Sequence, residues 1–73
     1  MKVRLIDQIG GEIKSTPVSS RDEAVKTVKV ELGAYCQEGD RIVWYCRGDE
    51  VLPSAAVVID MYDNEIDFYA VID

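Results

Sequence analysis

Only one segment of this chain has the sequence of a helix, and the segments on both sides of it have the composition of strands. Ser20 and Glu23 have the spacing of a capping box, and Asp22 and Glu23 suit the positive end of a helix dipole. We expect the helix to run to about Leu32, where Gly33 ends it. Because several of its residues are indifferent helix formers, this helix needs packing against a sheet. Its predicted buried stripe consists of Ala24 or Val25, Val28 and Leu32.

Five extended segments are predicted around this helix. They cover residues 2–9, 12–16, 41–47, 50–62 and 65–72, with turns at Gly10-Gly11, Gly48-Asp49 and Asp63-Asn64. The first segment supplies three apolar residues at even spacing, Val3, Leu5 and Ile9. Pro17 stops the second segment, and Pro53 with Ser54 forces an irregularity or bulge in the fourth. The order β(β)αβββ predicts one α+β domain over residues 1–73, an antiparallel four- to five-stranded sheet with one α-helix packed on one face.

The composition argues against several classes of chemistry. The 73 residues include 14 acids, 8 bases and no histidine, so the formal charge is −6. Without histidine there is no serine–histidine or cysteine–histidine couple, and zinc would lack ligands. No glycine-rich phosphate-binding motif is present, and paired carboxylates would need a pocket to do acid–base chemistry. We therefore expect a protein that is not an enzyme and uses no cofactor. Since an acidic chain repels phosphates, we also expect that it does not bind nucleic acid directly.

Two cysteines, Cys36 and Cys46, are expected to be reduced thiols in or near the core, with a single disulfide between them as the alternative. No apolar run approaches the roughly 20 residues of a membrane span. The first residues of the chain lack the apolar core of a signal peptide. These features predict a cytoplasmic protein with no membrane partner.

Charge is unevenly distributed along the chain. Residues 1–37 contain six bases and five acids, whereas residues 38–73 contain two bases and nine acids. No basic residue follows Arg47. Such asymmetry bears on the partners of a protein rather than on its fold, and it favours a basic partner.

The last predicted hairpin has a polar and apolar alternation that selects one register. With Asp63-Asn64 as its loop, the facing pairs are Tyr62–Glu65, Met61–Ile66, Asp60–Asp67, Ile59–Phe68, Val58–Tyr69 and Val57–Ala70. A three-residue loop would instead set Asp60 against Ile66 or Phe68, which mixes polar with apolar residues. The face expected under the helix is wholly apolar and consists of Val57, Ile59, Met61, Ile66, Phe68, Ala70 and Ile72.

The other face of this hairpin, the acid–tyrosine face, consists of Val58, Asp60, Tyr62, Glu65, Asp67, Tyr69 and Val71. Asp60 opposite Asp67, at a separation of ~5 Å, would cost roughly 1–3 kcal/mol of repulsion. The face has three interpretations: a solvated surface, a docking face for a basic partner, or a divalent-cation site formed by Asp60, Asp63, Glu65 and Asp67. We favour docking because tyrosines lie among the acids, and tyrosine is enriched at interfaces.

The neighbouring strand extends the acid–tyrosine face. With Gly48-Asp49 as a two-residue turn, Arg47 faces Glu50 and Tyr45 faces Leu52. The residues that then point to the core are Ile42, Trp44 and Cys46, and those that join the acid–tyrosine face are Val43 and Tyr45. A bulge at Pro53 would change which side of the sheet Tyr45 shares with Asp60. The candidate partner-binding residues are Asp60, Tyr62, Asp63, Glu65, Asp67, Tyr69, Asp49, Glu50 and Tyr45.

In size, charge and element order, the chain resembles the small inhibitors encoded by phages and mobile elements, of which anti-CRISPR proteins are the best-populated example. That resemblance implies a DNA mimic, which presents carboxylates where a nuclease complex expects DNA phosphate; here residues 60–67 would present them. The implied partner is a basic nucleic-acid-binding subunit such as a nuclease or CRISPR effector, met in the host cytosol. The alternative is an accessory or assembly module that forms a homodimer or binds a protein through its open sheet face or sheet edge.

Overall fold

The computed structural model describes residues 1–7, 9–48 and 53–73, apart from the side chains of Ile66 and Asp67. Its elements are β1 (Lys2–Asp7), β2 (Glu12–Pro17), α1 (Arg21–Gly33), β3 (Arg41–Cys46), β4 (Pro53–Ile59) and β5 (Glu65–Ile72). The strands form one antiparallel sheet in the order β2-β1-β5-β4-β3. The predicted α+β class and the order β(β)αβββ are therefore confirmed.

Helix α1 begins as the sequence predicts. The Ser20 hydroxyl accepts a hydrogen bond from the backbone N–H of Glu23. The carboxylate of Glu23 reaches back to Ser19, whose N–H and hydroxyl both donate to it and so lower the pKa of Glu23. At the other end Gly33 is the last helical residue, and Ala34 follows with φ of −63°, so no left-handed residue ends the helix. The buried stripe is Ala24, Val28 and Leu32.

The hydrophobic core lies between α1 and one face of the sheet, which we call the covered face. Its buried residues are Val3, Leu5, Val18, Ala24, Val28, Leu32, Ala56, Val58, Ala70 and Ile72. Ile42, Trp44, Cys36 and Phe68 pack against this cluster and are partly buried. The predicted inward orientation of Ile42, Trp44, Phe68, Ala70 and Ile72 is therefore confirmed.

The β1–β2 hairpin closes through the carboxylate of Asp7, which accepts hydrogen bonds from the N–H groups of Ile9 and Gly11. Ile9 lies in this turn and is 93% exposed, so its predicted place in the first strand is wrong. The even spacing of apolar residues continued past the end of the strand, and the turn removes Ile9 from the sheet.

The β4–β5 register differs from the predicted one and reverses the two faces of β4. Val57 pairs with Tyr69, where the prediction gave Ala70. A shift of one residue exchanges the two sides of a strand. Val58 is consequently 0% exposed beneath the helix, whereas Val57 lies on the other side. The prediction that Val57, Ile59 and Met61 lie under the helix is wrong.

The turn between β4 and β5 also lies earlier than predicted. The N–H of Asp60 donates to the carbonyl oxygen of Asn64, which leaves Met61, Tyr62 and Asp63 as the loop. Asp63 is the left-handed residue of this turn, with φ of 64°. Asp60 therefore lies opposite Asn64, and its predicted pairing with Asp67 is wrong.

The predicted irregularity at Pro53 and Ser54 is present in the β3–β4 pairing. Cys46 pairs with Pro53 and Tyr45 with Ala55, so Ser54 is an extra residue on β4. The predicted partner of Tyr45, Leu52, is wrong, whereas the predicted Arg47–Glu50 pair lies outside the described residues. Cys46 is exposed rather than in the core, and no disulfide joins it to Cys36. The one helix of the described residues is too short to cross a membrane.

Candidate functional site

The side of the sheet opposite α1 carries a second apolar surface, which we call the open face. It consists of Ile6, Val43, Tyr45, Ala55, Val57, Tyr69 and Val71, which alternate with residues of the covered face. Two rows cross the sheet: Arg4, Val71, Ala55 and Tyr45 form one, and Ile6, Tyr69, Val57 and Val43 form the other. Because the described helix packs on the opposite side, no helix covers this face within residues 1–7, 9–48 and 53–73.

Two tyrosines give the open face its aromatic character. Tyr69 lies near its centre, between Ile6 and Val57, and is half-buried. Tyr45 lies on the edge strand β3 and is 47% exposed. A tyrosine ring adds apolar contact area while its hydroxyl keeps a hydrogen bond, which is the combination that protein interfaces use.

One rim of the open face is neutralised within the molecule. Arg4, which continues the row of Tyr45, donates from Nε to a carboxylate oxygen of Asp73. This hydrogen bond raises the pKa of Arg4, and Glu12 and Tyr69 add smaller contributions in the same direction. A partner that covers the open face therefore meets an internally compensated charge pair on this side.

Acidic residues gather at the other end of the sheet, in what we call the acidic end: Glu38, Asp40, Asp60, Asp63 and Glu65. Two loops supply most of them, residues 37–40 and the β4–β5 turn. Gly39 has φ of +91°, a conformation that favours glycine, and a Cβ on it would lie 2.7 Å from Cε at the flexible end of Met61, so the two loops lie side by side. Glu65 is the main-chain partner of Ile59 at the end of β4, which joins the acidic end to the end of the open face.

Several of these carboxylates already have partners inside the molecule. The Asp60 carboxylate accepts hydrogen bonds of 2.9 Å from the N–H groups of Tyr62 and Asn64, so it shapes the turn. Arg41 donates to Asp63 at 2.6 Å and to the carbonyl oxygen of Asp60 at 3.3 Å. Arg41, from the neighbouring strand β3, therefore partly neutralises the acids of this turn.

The predicted acid–tyrosine face is divided between two places. Tyr45 and Tyr69 lie on the open face, whereas Asp60, Asp63 and Glu65 lie at the acidic end. Tyr62 belongs to the β4–β5 turn and is 77% exposed. Three candidates receive no side-chain description: Asp49 and Glu50 lie outside the described residues, and of Asp67 only the backbone in β5 is described.

Sequence reasoning missed the positions of Ile6, Ala55 and Val57 on the open face, where Ile6 is buried and the other two are half-buried. The run 55–59 is apolar at every position, and such a run indicates a strand with apolar residues on both faces. That signal was available in the sequence and argued for a second apolar surface.

Two other candidate chemistries are limited by the observed geometry. Among the residues that the structure describes, no group of three or more acidic or cysteine side chains is placed to hold a metal ion. Burial raises the pKa of the Cys36 thiol, and the nearby charge of Asp40 raises it further. Both effects favour the protonated thiol, which is less nucleophilic than the thiolate.

Comparison with known proteins adds no relative to this description. No protein-family model matches the chain. No curated protein matches its sequence, and no solved structure matches its fold. The open face and the acidic end are therefore the features of this chain from which a function is inferred.

Proposed function

We propose that this chain is a non-enzymatic protein-binding module that docks through the open face of its sheet. The observation that carries the proposal is an apolar, tyrosine-bearing sheet face with no helix over it among the described residues. Large apolar patches on small proteins mark interaction sites, because leaving them in water costs free energy.

The charges beside the open face specify the chemistry of the partner. Arg4 and Asp73 compensate each other on one side, whereas the acidic end adjoins Ile59 on another. A complementary surface is apolar at its centre and carries lysine or arginine on the side that meets the acidic end. Complementary charges of this kind steer association and raise its rate at low salt.

A matched pair of charge insertions tests the open face. We expect Val57→Glu to abolish capture of the partner from a lysate of the encoding organism, because the carboxylate lies at the centre of the interface. Val30→Glu adds the same charge on the far side of the molecule, at a helix position that is 72% exposed, and we expect it to retain capture. Equal capture by both variants, each with a cooperative thermal transition, would contradict the proposal.

A second candidate function is the inhibitor that presents carboxylates in place of DNA phosphate. The acidic end supports it, because it brings together five carboxylates and, among the described residues, one base, Arg41. In this version the partner is a basic subunit of a nuclease or CRISPR effector, and the bound protein blocks its nucleic-acid site. Asp60 contributes less than predicted, since its carboxylate already accepts two backbone hydrogen bonds.

Displacement by nucleic acid distinguishes the two candidates. For a DNA mimic we expect a short DNA duplex to elute the captured protein, and Glu38→Gln with Glu65→Gln to weaken capture. The control, Glu12→Gln with Asp22→Gln, makes the same change in net charge away from the acidic end. If the duplex elutes nothing and both double variants capture equally, the inhibitor function is excluded while docking through the open face stands.

A further inference from the structure

The two edges of the sheet differ in how well they are protected against pairing with another strand. The edge strand β2 contains Glu12 and Lys14 and ends at Pro17. Its pairing with β1 also shifts at Ile13, which has no partner of its own on β1. Charge, proline and a bulge are the features that natural sheets use to block edge-to-edge association.

The opposite edge strand, β3, has none of these features over most of its length. It reads Arg-Ile-Val-Trp-Tyr-Cys, and from Arg41 to Tyr45 its pairing with β4 is regular. Among the described strands β4 is its only neighbour. Alternate N–H and C=O groups of β3 therefore point away from the sheet, from a segment with high strand propensity and one charge.

We propose that two copies of this chain associate through β3, antiparallel, to form one continuous ten-stranded sheet. A two-fold axis perpendicular to the sheet relates the copies, so both helices lie on the same side. In an antiparallel pair, directly opposite residues point to the same side of the sheet. The two-fold axis must therefore pass at one residue of β3, which lies opposite its own copy, rather than between two residues.

Charge complementarity selects Val43 as that residue. With Val43 opposite Val43 of the second copy, Ile42 faces Trp44, and Arg41 faces Tyr45. Arg47, just past the end of β3, then comes near the 37–40 loop of the second copy, which carries Glu38 and Asp40. With Trp44 on the axis instead, Arg41 would face Arg47, which places like charges directly opposite each other.

This assembly uses a surface separate from the centre of the open face. It joins the open faces of the two copies into one surface, on the side opposite both helices. Because β3 and the centre of the open face are tested with different residues, failure of one proposal leaves the other standing.

Sedimentation equilibrium at micromolar to millimolar concentration tests the association. We expect a reversible dimer for the natural chain. In Val43→Lys two ammonium groups meet at the axis, and dissociation should become about tenfold easier. The control Ile13→Lys adds the same charge on the other edge, at a residue already 47% exposed, and should dimerise like the natural chain. A monomer at every concentration, or equal dimerisation by both variants, overturns the proposal.

Cysteine crosslinking tests the register. In a background of Cys36→Ser and Cys46→Ser, we expect Val43→Cys to form an intermolecular disulfide, since facing Cβ atoms lie about 5 Å apart. Trp44→Cys should crosslink far less, because residues 44 of the two copies are offset along the strands. Preferential crosslinking through residue 44, or through neither, overturns the Val43-centred pairing.

A charge exchange provides a test that leaves β3 itself unchanged. Arg47→Glu should weaken the dimer several-fold, because the new carboxylate faces Glu38 and Asp40 of the second copy. Adding Glu38→Arg to the same chain should restore most of the lost affinity at both ends of the interface. Absence of weakening, or of rescue, counts against the proposed register.

Discussion

The covered face and the open face of the sheet are both apolar, but they are built from different residues. Under the helix the side chains are mostly small or aliphatic, as in Ala56, Val58 and Ala70, and nothing of them is exposed. On the open face the corresponding positions include Tyr45 and Tyr69, which stay partly exposed. One face is thus completed within the chain, whereas the other carries amphipathic rings suited to a partner.

The difference arises because the one helix of the described residues can cover only one face of the sheet. The covered side needs small residues because α1 must approach the sheet closely, with Val28 and Leu32 filling the space between them. Among the described residues no helix covers the open side, where Val43, Ala55 and Val57 stay half-buried. The comparison predicts that equivalent substitutions on the two faces have unequal consequences for stability and for binding.

The largest effect is expected where the helix completes the covered face. Leu32 is 0% exposed, and Leu32→Ala should lower the free energy of unfolding by about 2–5 kcal/mol, enough to unfold much of a domain this small. Val30→Ala, on the exposed side of the same helix, should change it by less than about 0.5 kcal/mol. Urea denaturation of both variants measures this, and similar losses would contradict the assignment of the helix face.

Two adjacent valines of β4 provide the sharpest version of the comparison. Val58→Ala should lower the free energy of unfolding by about 1–3 kcal/mol, because it leaves a cavity beneath the helix. Val57→Ala removes the same atoms from the open face and should cost less than about 1 kcal/mol, while it weakens capture of the partner. Chemical denaturation and capture assays on the two variants measure both effects. If Val57→Ala lowered the free energy of unfolding more than Val58→Ala, the register predicted from the sequence would be correct instead.

The β4–β5 register is also the feature of the fold that the sequence alone did not determine. Element order, the capped start of α1 and its buried stripe were predictable, because caps and helical periodicity are local signals. Both alignments of β4 bury apolar residues, since residues 55–59 are apolar throughout. The sequence prediction therefore rests on the polar and apolar alternation that places Asp60 opposite Asp67, and this alternation selects the other alignment.

Asp60 is the residue that makes the predicted register wrong, because its carboxylate shapes the β4–β5 turn rather than facing another strand. Its carboxylate caps two backbone N–H groups of the turn, so it ends β4 rather than lying in it. A strand aspartate and a turn aspartate look alike in a sequence, and the choice depends on contacts that only the folded turn makes. The extra residue at Ser54 also shifts the pairing at the end of β3, where Cys46, predicted to point to the core, is exposed.

A smaller effect is expected at the N-terminus of the helix that separates the two faces. Ser20→Ala removes the acceptor of the Glu23 N–H and should lower the free energy of unfolding by about 1 kcal/mol. Ser15→Ala, on the exposed edge strand β2, makes the same chemical change without a cap. Thermal unfolding of the two variants should show a lower midpoint for Ser20→Ala alone; equal midpoints would argue against the cap.

The smallest change in stability is expected at the acidic end, where the two candidate functions differ. Asp63→Asn keeps a residue that tolerates the left-handed conformation but removes the ion pair with Arg41. Both side chains are exposed, so the free energy of unfolding should fall by less than about 1 kcal/mol, and less still at high salt.

The effect of Asp63→Asn on binding distinguishes the two candidate functions. A partner held by the open face should tolerate Asp63→Asn, because the substitution leaves the apolar contact intact. A partner that reads carboxylates in place of phosphates should bind the variant more weakly, with a shallower dependence of affinity on salt. Titration of the captured partner at two ionic strengths separates these outcomes, since loss of both affinity and salt dependence would assign recognition to the acidic end rather than to the open face.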